Sequence, residues 1–392
     1  MSLPAFARRC DHIDPFLVME LVKKAAALEE DGHPIIHLSI GEPDFTAPEP
    51  VLRALKRATD AGRTQYSDAA GISALRRAIA ADYHRHFGLD IDPSRVLITA
   101  GASGALTLAC AALVNPGDGV LMSDPGYPCN RHFVAAFDGQ AQTVPTGPAE
   151  RFQLSAELVA AHWRANTRGV LISTPSNPTG TSMRTDALAS IIADVRARAG
   201  FTIVDEIYIG LSYGHAPESA LALADDIIVA NSFSKYFHMT GWRLGWLVVP
   251  PGTLPVFEKL AQNLYICPSV LAQQAALACF EPDSQAVFAQ RRQAFEERRN
   301  YLVPALREIG FEIPVEPDGA FYVYADISRF SDDSARFASE VLEQAHVSIV
   351  PGSDFGSNES GRYVRISYAN SLENLRTAVQ RLGEFVARRQ AA

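Results

Sequence analysis

The sequence predicts an α/β protein with a doubly wound, mostly parallel sheet in a large domain and a smaller, discontinuous α+β domain. Three observations support this fold class. The chain has 392 residues, more than one ordinary hydrophobic core accommodates. Apolar strand-like runs alternate with helical patterns from about residue 95 to 250, as in parallel sheets. Beyond about Pro282 a long charged helical pattern takes over.

Composition and charge narrow the class of protein. Hydrophobic residues make up 47% of the chain and charged residues 20%, which is typical of globular proteins. A net charge of −9 argues against nucleic acid or an anionic membrane as a partner. No apolar run approaches the roughly 18 residues of a membrane span, and residues 1–9 lack an apolar signal core. The five cysteines stand singly without metal-ligand spacing, which predicts a cytoplasmic protein with reduced thiols and no metal.

Apolar periodicity predicts the elements in order. The domain limits that follow are 1–45 for an N-terminal arm with part of the small domain, 46–284 for the large domain and 285–392 for the rest of the small domain. The predicted helices cover 16–30, 50–61, 72–87, 106–113, 284–309 and 334–345. The predicted strands cover 35–40, 95–99, 120–123, 169–173, 201–205, 227–230, 244–249, 321–327, 347–350 and 362–369.

Small or polar residues follow several of these strands. Gly41 opens a turn with an exposed backbone N–H. Gly101, Ala102 and Ser103 stand between a strand and a helix, where backbone N–H groups can bind a phosphate, although tight packing of a turn would explain them equally well. Tyr127 lies in a turn held by Pro and Gly, which is compatible with a ligand contact or with simple packing.

Asn177, Asp205 and Lys235 each follow a predicted strand. Asp205 comes 28 residues after Asn177, and Lys235 comes 30 residues after Asp205, which is one strand–helix unit for each gap. Proline and glycine around Asn177 fix its loop. Asp205 ends an apolar strand, and a buried carboxylate is costly unless a cation pairs with it. A protonated pyridinium nitrogen is such a cation, whereas a carboxylate that caps the following segment is the alternative. Loops that follow strands are therefore expected to contain the candidate residues.

Lys235 stands among aromatic and hydroxyl residues rather than among charges. A lysine desolvated by aromatic neighbours has a lowered pKa, as a Schiff-base lysine requires. Ser232 and Ser234 precede it, and Arg243 follows it eight residues later, a set that suits a phosphate. Together they predict pyridoxal 5′-phosphate (PLP) as the cofactor; a solvated lysine in a strand-to-loop turn is the alternative.

The segment SFSKYFHMTGWRLGW, from Ser232 to Trp246, closely resembles the lysine motif of the class I and II (fold-type I) aminotransferases. The resemblance extends over essentially the whole chain. It implies a PLP-dependent aminotransferase of amino acid metabolism, which moves an amino group from an L-amino acid to a 2-oxo acid. The mechanism would be ping-pong, through a Schiff base on Lys235, in a homodimer with sites at the interface.

The resemblance also implies roles for residues that are ambiguous by themselves. Catalysis is implied for Lys235, Asp205 and Tyr208. Cofactor binding is implied for Gly101, Ala102, Ser103, Tyr127, Asn177, Asp205, Tyr208, Ser232, Ser234, Lys235 and Arg243, with Tyr66 reaching the cofactor phosphate of the other subunit. Binding of the substrate carboxylate is implied for Gly41, Asn177 and Arg365. Without the resemblance, Tyr66 is a loop tyrosine and Arg365 a surface arginine of a strand.

Two other functions are compatible with these residues. A PLP-dependent β-eliminating C–S lyase would share Lys235, Asp205 and Arg365. A PLP-fold regulator would need a DNA-binding module, for which only some 30 residues precede the first pocket motif. The donor is not fixed by the sequence. Some relatives that act on aspartate carry a lysine where this chain has Ser103, which puts that kind of aspartate recognition in doubt. Phe16, Tyr66 and Tyr265 allow neutral or aromatic substrates.

Overall fold

The structure is a computed structural model, and it describes residues 5–15 and 17–391. Within these residues the α-helices are α1 Leu17–Glu30, α2 Glu49–Asp60, α3 Ser73–Phe87, α4 Gly101–Leu113, α5 Pro128–Ala135, α6 Ala156–His162, α7 Thr185–Ala197, α8 Leu254–Leu264, α9 Val270–Ala276, α10 Pro282–Glu308, α11 Ser334–Ala345 and α12 Leu372–Ala391. The strands are β1 Ile36–His37, β2 Val96–Thr99, β3 Gly119–Asp124, β4 Gln140–Pro145, β5 Thr167–Ser173, β6 Phe201–Asp205, β7 Ile228–Ser232, β8 Gly245–Val248, β9 Tyr322–Asp326, β10 Val347–Ser348, β11 Val350–Pro351 and β12 Tyr363–Ser367. Phe16, the first residue of the predicted N-terminal helix, lies outside the described residues.

A seven-stranded sheet in the order β2-β8-β7-β6-β5-β3-β4 dominates the fold. The pairs among β3 to β7 are parallel, whereas β8 runs antiparallel to both of its neighbours, β2 and β7. The carboxyl ends of the six parallel strands therefore share one edge, and the start of β8 lies at the same edge. The predicted doubly wound, mostly parallel sheet is confirmed.

Both faces of this sheet are buried, which explains why its strands have continuous apolar runs rather than alternation. Val96 and Ile98 of β2 pack into one core cluster with α2, α3 and α7, whereas Leu97 packs into a second cluster with α4 and α8. The same division separates Val204 from Ile203 on β6. Helices on both faces fix the position of each strand end, and hence of the loop that follows it.

The C-terminal part of the chain contains two small sheets. One has the order β11-β12-β9, and the other pairs β1 with β10. The single strand predicted over 347–350 is therefore wrong, because β10 and β11 belong to different sheets. The strand predicted over 35–40 shortens to Ile36–His37, since only these two residues pair with β10. These pairings join the N-terminal segment to the C-terminal part, in agreement with a discontinuous small domain; the limits at residues 45 and 284 stay a prediction.

The charged pattern predicted that the long helix α10 would be solvated, but the helix is in part buried. Phe288 packs in the core beside the large sheet, and Phe295, two turns on, packs in the core of the C-terminal part. Arg298 is only 8% exposed and makes a bidentate contact with Asp44, at 2.7 and 3.0 Å. The helix therefore connects the two cores, and its arginine holds the segment that follows Gly41.

Helix α4 begins five residues earlier than predicted, at Gly101 rather than Leu106. The candidate phosphate residues thus form its first turn, where the backbone N–H groups have no partner within the helix. Among the described residues, no helix is long and apolar enough to cross a membrane. No group of three or more His, Cys, Asp or Glu side chains in residues 5–15 and 17–391 could hold a metal ion.

Candidate active site

A cavity of 380 Å³ lies at the carboxyl edge of the large sheet. We call it the catalytic cavity. The predicted site residues that line it are Gly41, Ala102, Ser103, Tyr127, Asn177, Asp205, Tyr208, Ser234, Lys235, Arg243 and Arg365. The loops after β2, β3, β5, β6 and β7 thus meet at one place. Arg365 is an exception to the expectation that strand-end loops supply the site, because it lies in the middle of β12.

Three predicted residues do not line the catalytic cavity. Gly101 lies beside it with φ of 73°, and a Cβ there would lie 2.5 Å from Nη2 of Arg243. Ser232 is buried behind Ser234, with the two Oγ atoms 2.8 Å apart. Tyr66 is 79% exposed in the loop between α2 and α3, so it is a second exception to the strand-end expectation.

Lys235 reaches across the catalytic cavity to the N-terminal segment. Its Nζ donates a hydrogen bond to the carbonyl oxygen of Gly41 at 2.5 Å and lies 5.8 Å from the centre of the Tyr208 ring. Burial lowers the pKa of Lys235 to about 8; the charges of Arg365 and Arg243 lower it too, whereas Glu42 opposes them. An amine with a pKa close to neutrality can act as a nucleophile and then as a base.

Asp205 is the last residue of β6 and is 4% exposed. Its Oδ1 accepts a hydrogen bond from the backbone N–H of Ile207 at 3.1 Å. Burial raises the pKa of Asp205 to about 6, while this hydrogen bond and the charge of Lys235 act in the opposite direction. A buried carboxylate with few donors is costly. The carboxylate therefore offers a place for a cationic or proton-donating group of a ligand.

Two buried tyrosines form the wall beside Lys235. The hydroxyl oxygens of Tyr208 and Tyr322 lie 2.8 Å apart, and burial raises the pKa of both phenols. Tyr322 was not singled out from the sequence, because it is the first residue of β9 rather than part of a loop that follows a strand. Tyr127 also lines the cavity, and its hydroxyl accepts a hydrogen bond from the Cys129 thiol at 3.3 Å. Burial raises the pKa of this phenol as well, so all three tyrosines are neutral hydrogen-bonding groups.

Arg365 is buried with part of its guanidinium unused. Nη1 donates to Oδ1 of Asn177 at 2.9 Å and Nη2 to the carbonyl oxygen of Ser39 at 2.5 Å, while buried Nε has no partner. The guanidinium carbon lies 4.5 Å from the centre of the Tyr322 ring. A guanidinium that faces a cavity with an unpaired donor suits a carboxylate, which it can bind through two hydrogen bonds.

The other end of the catalytic cavity suits an anion as well. Ala102 and Ser103 are in the first turn of α4, where the helix dipole and free N–H groups favour negative charge. Ser234 and exposed Arg243 lie beside this turn. A Cβ on Gly245 would lie 2.7 Å from the carbonyl carbon of Gly101, so glycine is needed for β8 to approach the helix start this closely.

The sequence did not identify the apolar wall of the catalytic cavity. Val18, Met19 and Val22 of α1 line it together with Ile40. The helical period predicted α1 but could not show which side of the helix would line the cavity around Lys235, which lies far along the chain. Of the aromatic residues expected near the substrate, Phe16 lies outside the described residues. Tyr265 packs beside the core between the sheet and α8 rather than in this cavity.

Comparisons with known proteins place these residues in a family. The family described as aminotransferase class I and II matches residues 33–382. The valine–pyruvate aminotransferase of Mycobacterium tuberculosis is 40% identical, over 95% of this chain and 97% of its own. An aspartate aminotransferase of Thermotoga maritima is 35% identical, over 97% and 99% of the two chains.

Solved structures agree with the sequence comparison. The crystal structure of an aminotransferase from M. tuberculosis has a TM-score of 0.95 at 40% identity, covering 98% of this chain and 100% of that one. The aspartate aminotransferase of Thermus thermophilus with maleate has a TM-score of 0.92 at 32% identity, covering 97% and 100%. Nothing in these comparisons favours the C–S lyase alternative. The chain belongs to the class I and II aminotransferases and is an aminotransferase with their fold-type I architecture.

Proposed function

We propose that this aminotransferase binds PLP through Lys235 and takes its amino group from an L-amino acid with an apolar side chain, with pyruvate as the acceptor. Members of the class I and II aminotransferases use PLP. The main support for an apolar donor is the apolar wall formed by Val18, Met19, Val22 and Ile40. Among the described lining residues, every cation already has a role with the cofactor or the α-carboxylate, so none is left to bind an acidic side chain.

The residues of the catalytic cavity fit PLP at each of its functional groups. The first turn of α4 with Ser234 and Arg243 would hold the phosphate, with Gly101 and Ser232 supporting these residues from behind. Asp205 accepts one hydrogen bond, from the backbone N–H of Ile207, and its remaining acceptor capacity would suit the protonated ring nitrogen of the cofactor. Asn177 and Tyr208 would bond the ring oxygen, and Tyr127 would cover the ring face. Among the described residues that line this cavity, Lys235 is the one lysine.

Residues of this chain would then bind the donor, move its Cα proton and stabilise the charge of the cofactor ring. Bound PLP supplies an electron sink that weakens the Cα–H bond of the donor. Arg365 binds the α-carboxylate of the donor, with Asn177 and the backbone of Gly41 beside it, and so orients Cα toward Lys235. With a pKa of about 8, Lys235 can remove the Cα proton and return it to another atom within reach of its Nζ. Asp205, held anionic by a cation beside it, would keep the electron sink effective.

The charges that line the catalytic cavity support an apolar donor. Its cations are Lys235, Arg243 and Arg365, and each has a role in the assignment above. Glu42 also lines it, so a donor with an acidic side chain would meet a carboxylate instead of an unassigned cation among the described lining residues of this subunit. Ser103 stands where some relatives that act on aspartate carry a lysine. The most similar relative described above is named for valine and pyruvate, which supports the same donor class.

We also propose that the protein is a cytoplasmic homodimer. Tyr66 is 79% exposed and lies outside the catalytic cavity of its own subunit, so it is free to reach the cofactor phosphate of a second one. All five cysteines are free, which is typical of proteins in a reducing compartment.

A donor panel tests the proposed function. The PLP-loaded enzyme would be assayed with pyruvate and L-valine, L-leucine, L-phenylalanine or L-aspartate. We expect kcat/KM for the best apolar donor to exceed that for aspartate by roughly 100-fold or more, because an unpaired carboxylate in an apolar site is costly. Equal or faster reaction with aspartate would overturn the donor class. After borohydride reduction, intact mass should show a covalent cofactor in the native protein and none in Lys235→Ala; an adduct in the variant would overturn the assignment of Lys235.

A further inference from the structure

A second cavity, of 350 Å³, adjoins the catalytic cavity at Ile207 and is lined by Tyr236, the neighbour of Lys235 in the chain. We call it the rear cavity. Ile207 lines both cavities, whereas none of the residues assigned to the cofactor or the substrate lines the rear one. Its volume falls in the range of small-molecule sites, about 300 to 1,000 Å³. The proposed reaction gives this cavity no role.

Aromatic side chains form most of the wall of the rear cavity. They are Tyr83, Phe87, Tyr236, Phe237, Trp246 and Phe280. All six belong to the core around the large sheet or pack against it, so the rings are held in place by packing. A surface of this kind binds a flat apolar body, since aromatic rings stack or meet edge to face.

The charged groups of the rear cavity leave one cation unpaired. Asp82, the only acid among the described residues of its lining, has His86 Nδ1 at 3.1 Å and Arg85 Nη1 at 3.6 Å from its Oδ1. Half-buried Arg292 instead donates only to the carbonyl oxygen of Ser212, at 2.9 Å. Within the described part of the chain, no carboxylate forms an ion pair with this guanidinium. The rear cavity therefore combines an aromatic wall with a guanidinium that has free donors.

We propose that the rear cavity binds a small aryl-substituted carboxylate, with the carboxylate on Arg292 and the aromatic body against the ring wall. A guanidinium can bind a carboxylate through two parallel hydrogen bonds, and Arg292 has donors left for both. Arg85 offsets part of the charge of Asp82, so this carboxylate repels such an anion less than an isolated one would. A ligand with an ammonium group is disfavoured, because the guanidinium of Arg292 would repel it and Asp82 already has cationic neighbours.

A ligand in the rear cavity would act on the catalytic lysine through two residues. The ring of Tyr236, the residue next to Lys235, is part of the rear wall. Gly210 lies against this ring so closely that a Cβ there would be 2.6 Å from Cγ of Tyr236, which leaves the ring little room to move away. Ile207 donates its backbone N–H to Asp205, so displacement of Ile207 would reach that carboxylate too. The expected effect is a lower kcat with an unchanged KM for the amino donor.

Phenylacetate is a suitable probe because it has no amino or oxo group and cannot be turned over. Its binding to the PLP-loaded enzyme would be measured by calorimetry, and its inhibition by steady-state kinetics. We expect a noncompetitive component against the amino donor, and affinity reduced at least 10-fold in Arg292→Met. Arg291→Met is the matched control, because Arg291 is the neighbouring residue on α10 but contacts the carbonyl oxygen of Thr46 outside this cavity.

A second variant separates loss of charge recognition from general damage. Asp82→Asn removes the only acid among the described lining residues of the rear cavity. It should leave phenylacetate binding unchanged or tighten it about twofold to threefold, since less repulsion remains. Purely competitive inhibition, an affinity that Arg292→Met does not change, or equal weakening in Arg292→Met and Asp82→Asn would each overturn the proposal. Because donor specificity is not measured in this test, failure here leaves the donor panel unaffected.

Discussion

Asp205 and Glu206 are consecutive carboxylates at the end of β6, and their environments differ in one instructive way. They are 4% and 1% exposed, and burial raises their pKa values to about 6 and about 7. Glu206 accepts hydrogen bonds from the Ser219 hydroxyl at 2.9 Å and from the backbone N–H of Ala220 at 2.6 Å. Asp205 accepts one backbone hydrogen bond, from Ile207, and faces the catalytic cavity.

The difference shows that burial alone does not mark a functional carboxylate. Desolvation acts on both side chains and raises both pKa values. Only the supply of donors separates them: the fold satisfies Glu206, whereas Asp205 keeps acceptor capacity for a partner that the chain does not provide. Polar groups left partly unsatisfied in a protein interior are unusual enough to require such an explanation. Glu206 is thus expected to affect stability, and Asp205 to affect activity.

The largest effect is expected for Asp205→Asn. An amide cannot supply the negative charge that we assign to this position, so kcat/KM should fall by roughly 10³-fold. The thermal midpoint should stay the same or rise, because the variant no longer buries a group that can ionise. Steady-state kinetics of the PLP-loaded variant and a thermal melt would be compared with Glu206→Gln as control. A variant that keeps more than a tenth of the native activity would contradict the assignment.

The second largest effect is expected for Glu206→Gln, as a change in how the unfolding free energy depends on pH. The pKa of Glu206 is about 7 in the folded protein and 4.5 in the reference state, so the folded state keeps a proton that the unfolded chain has lost between these values. The stability that this proton contributes is therefore present at low pH and lost as pH rises through about 7. Glutamine does not titrate. Relative to the native protein, the variant should gain roughly 2 kcal/mol in unfolding free energy from about pH 5 to pH 8.

Urea unfolding at the two pH values measures this gain, and both proteins contain Asp205, so its titration cancels in the comparison. Activity should change by less than about threefold, because Glu206 does not line the catalytic cavity. If the two unfolding free energies differ by the same amount at both pH values, the explanation based on Glu206 protonation is wrong.

How much the sequence could predict depends on the range of the interactions involved. The strands before Asn177, Asp205 and Lys235 are marked by local apolar runs, and a parallel sheet brings their ends together whatever the rest of the chain does. These residues were therefore predictable as neighbours. Tyr322 and the apolar wall from α1 were not, because their place in the cavity depends on contacts between segments far apart in sequence.

Arg298 shows the same limit for charge. The run of charged residues on α10 predicted a solvated helix side, yet Arg298 is buried against Asp44, 254 residues away. The strand predicted over 347–350 failed for a related reason, since pairing partners rather than propensity divide it between two sheets. Glu206 was not singled out because nothing in an apolar strand end shows that Ser219 will provide its hydrogen bonds.

The smallest effect is expected for Ser219→Ala. The substitution removes the hydroxyl that donates to Glu206 and that caps the short turn at Leu221, where its oxygen accepts the backbone N–H at 3.3 Å. We expect a loss of about 1 to 2 kcal/mol in unfolding free energy, as for a buried hydrogen bond to a carboxyl group. Ser190→Ala is the matched control, because its hydroxyl donates to the carbonyl of Asp186 on an exposed helix surface and should cost little. The kcat of Ser219→Ala should equal that of the native enzyme. A loss of activity at unchanged stability would mean that Glu206 and its donors act on the catalytic cavity, and the separation between the two carboxylates would fail.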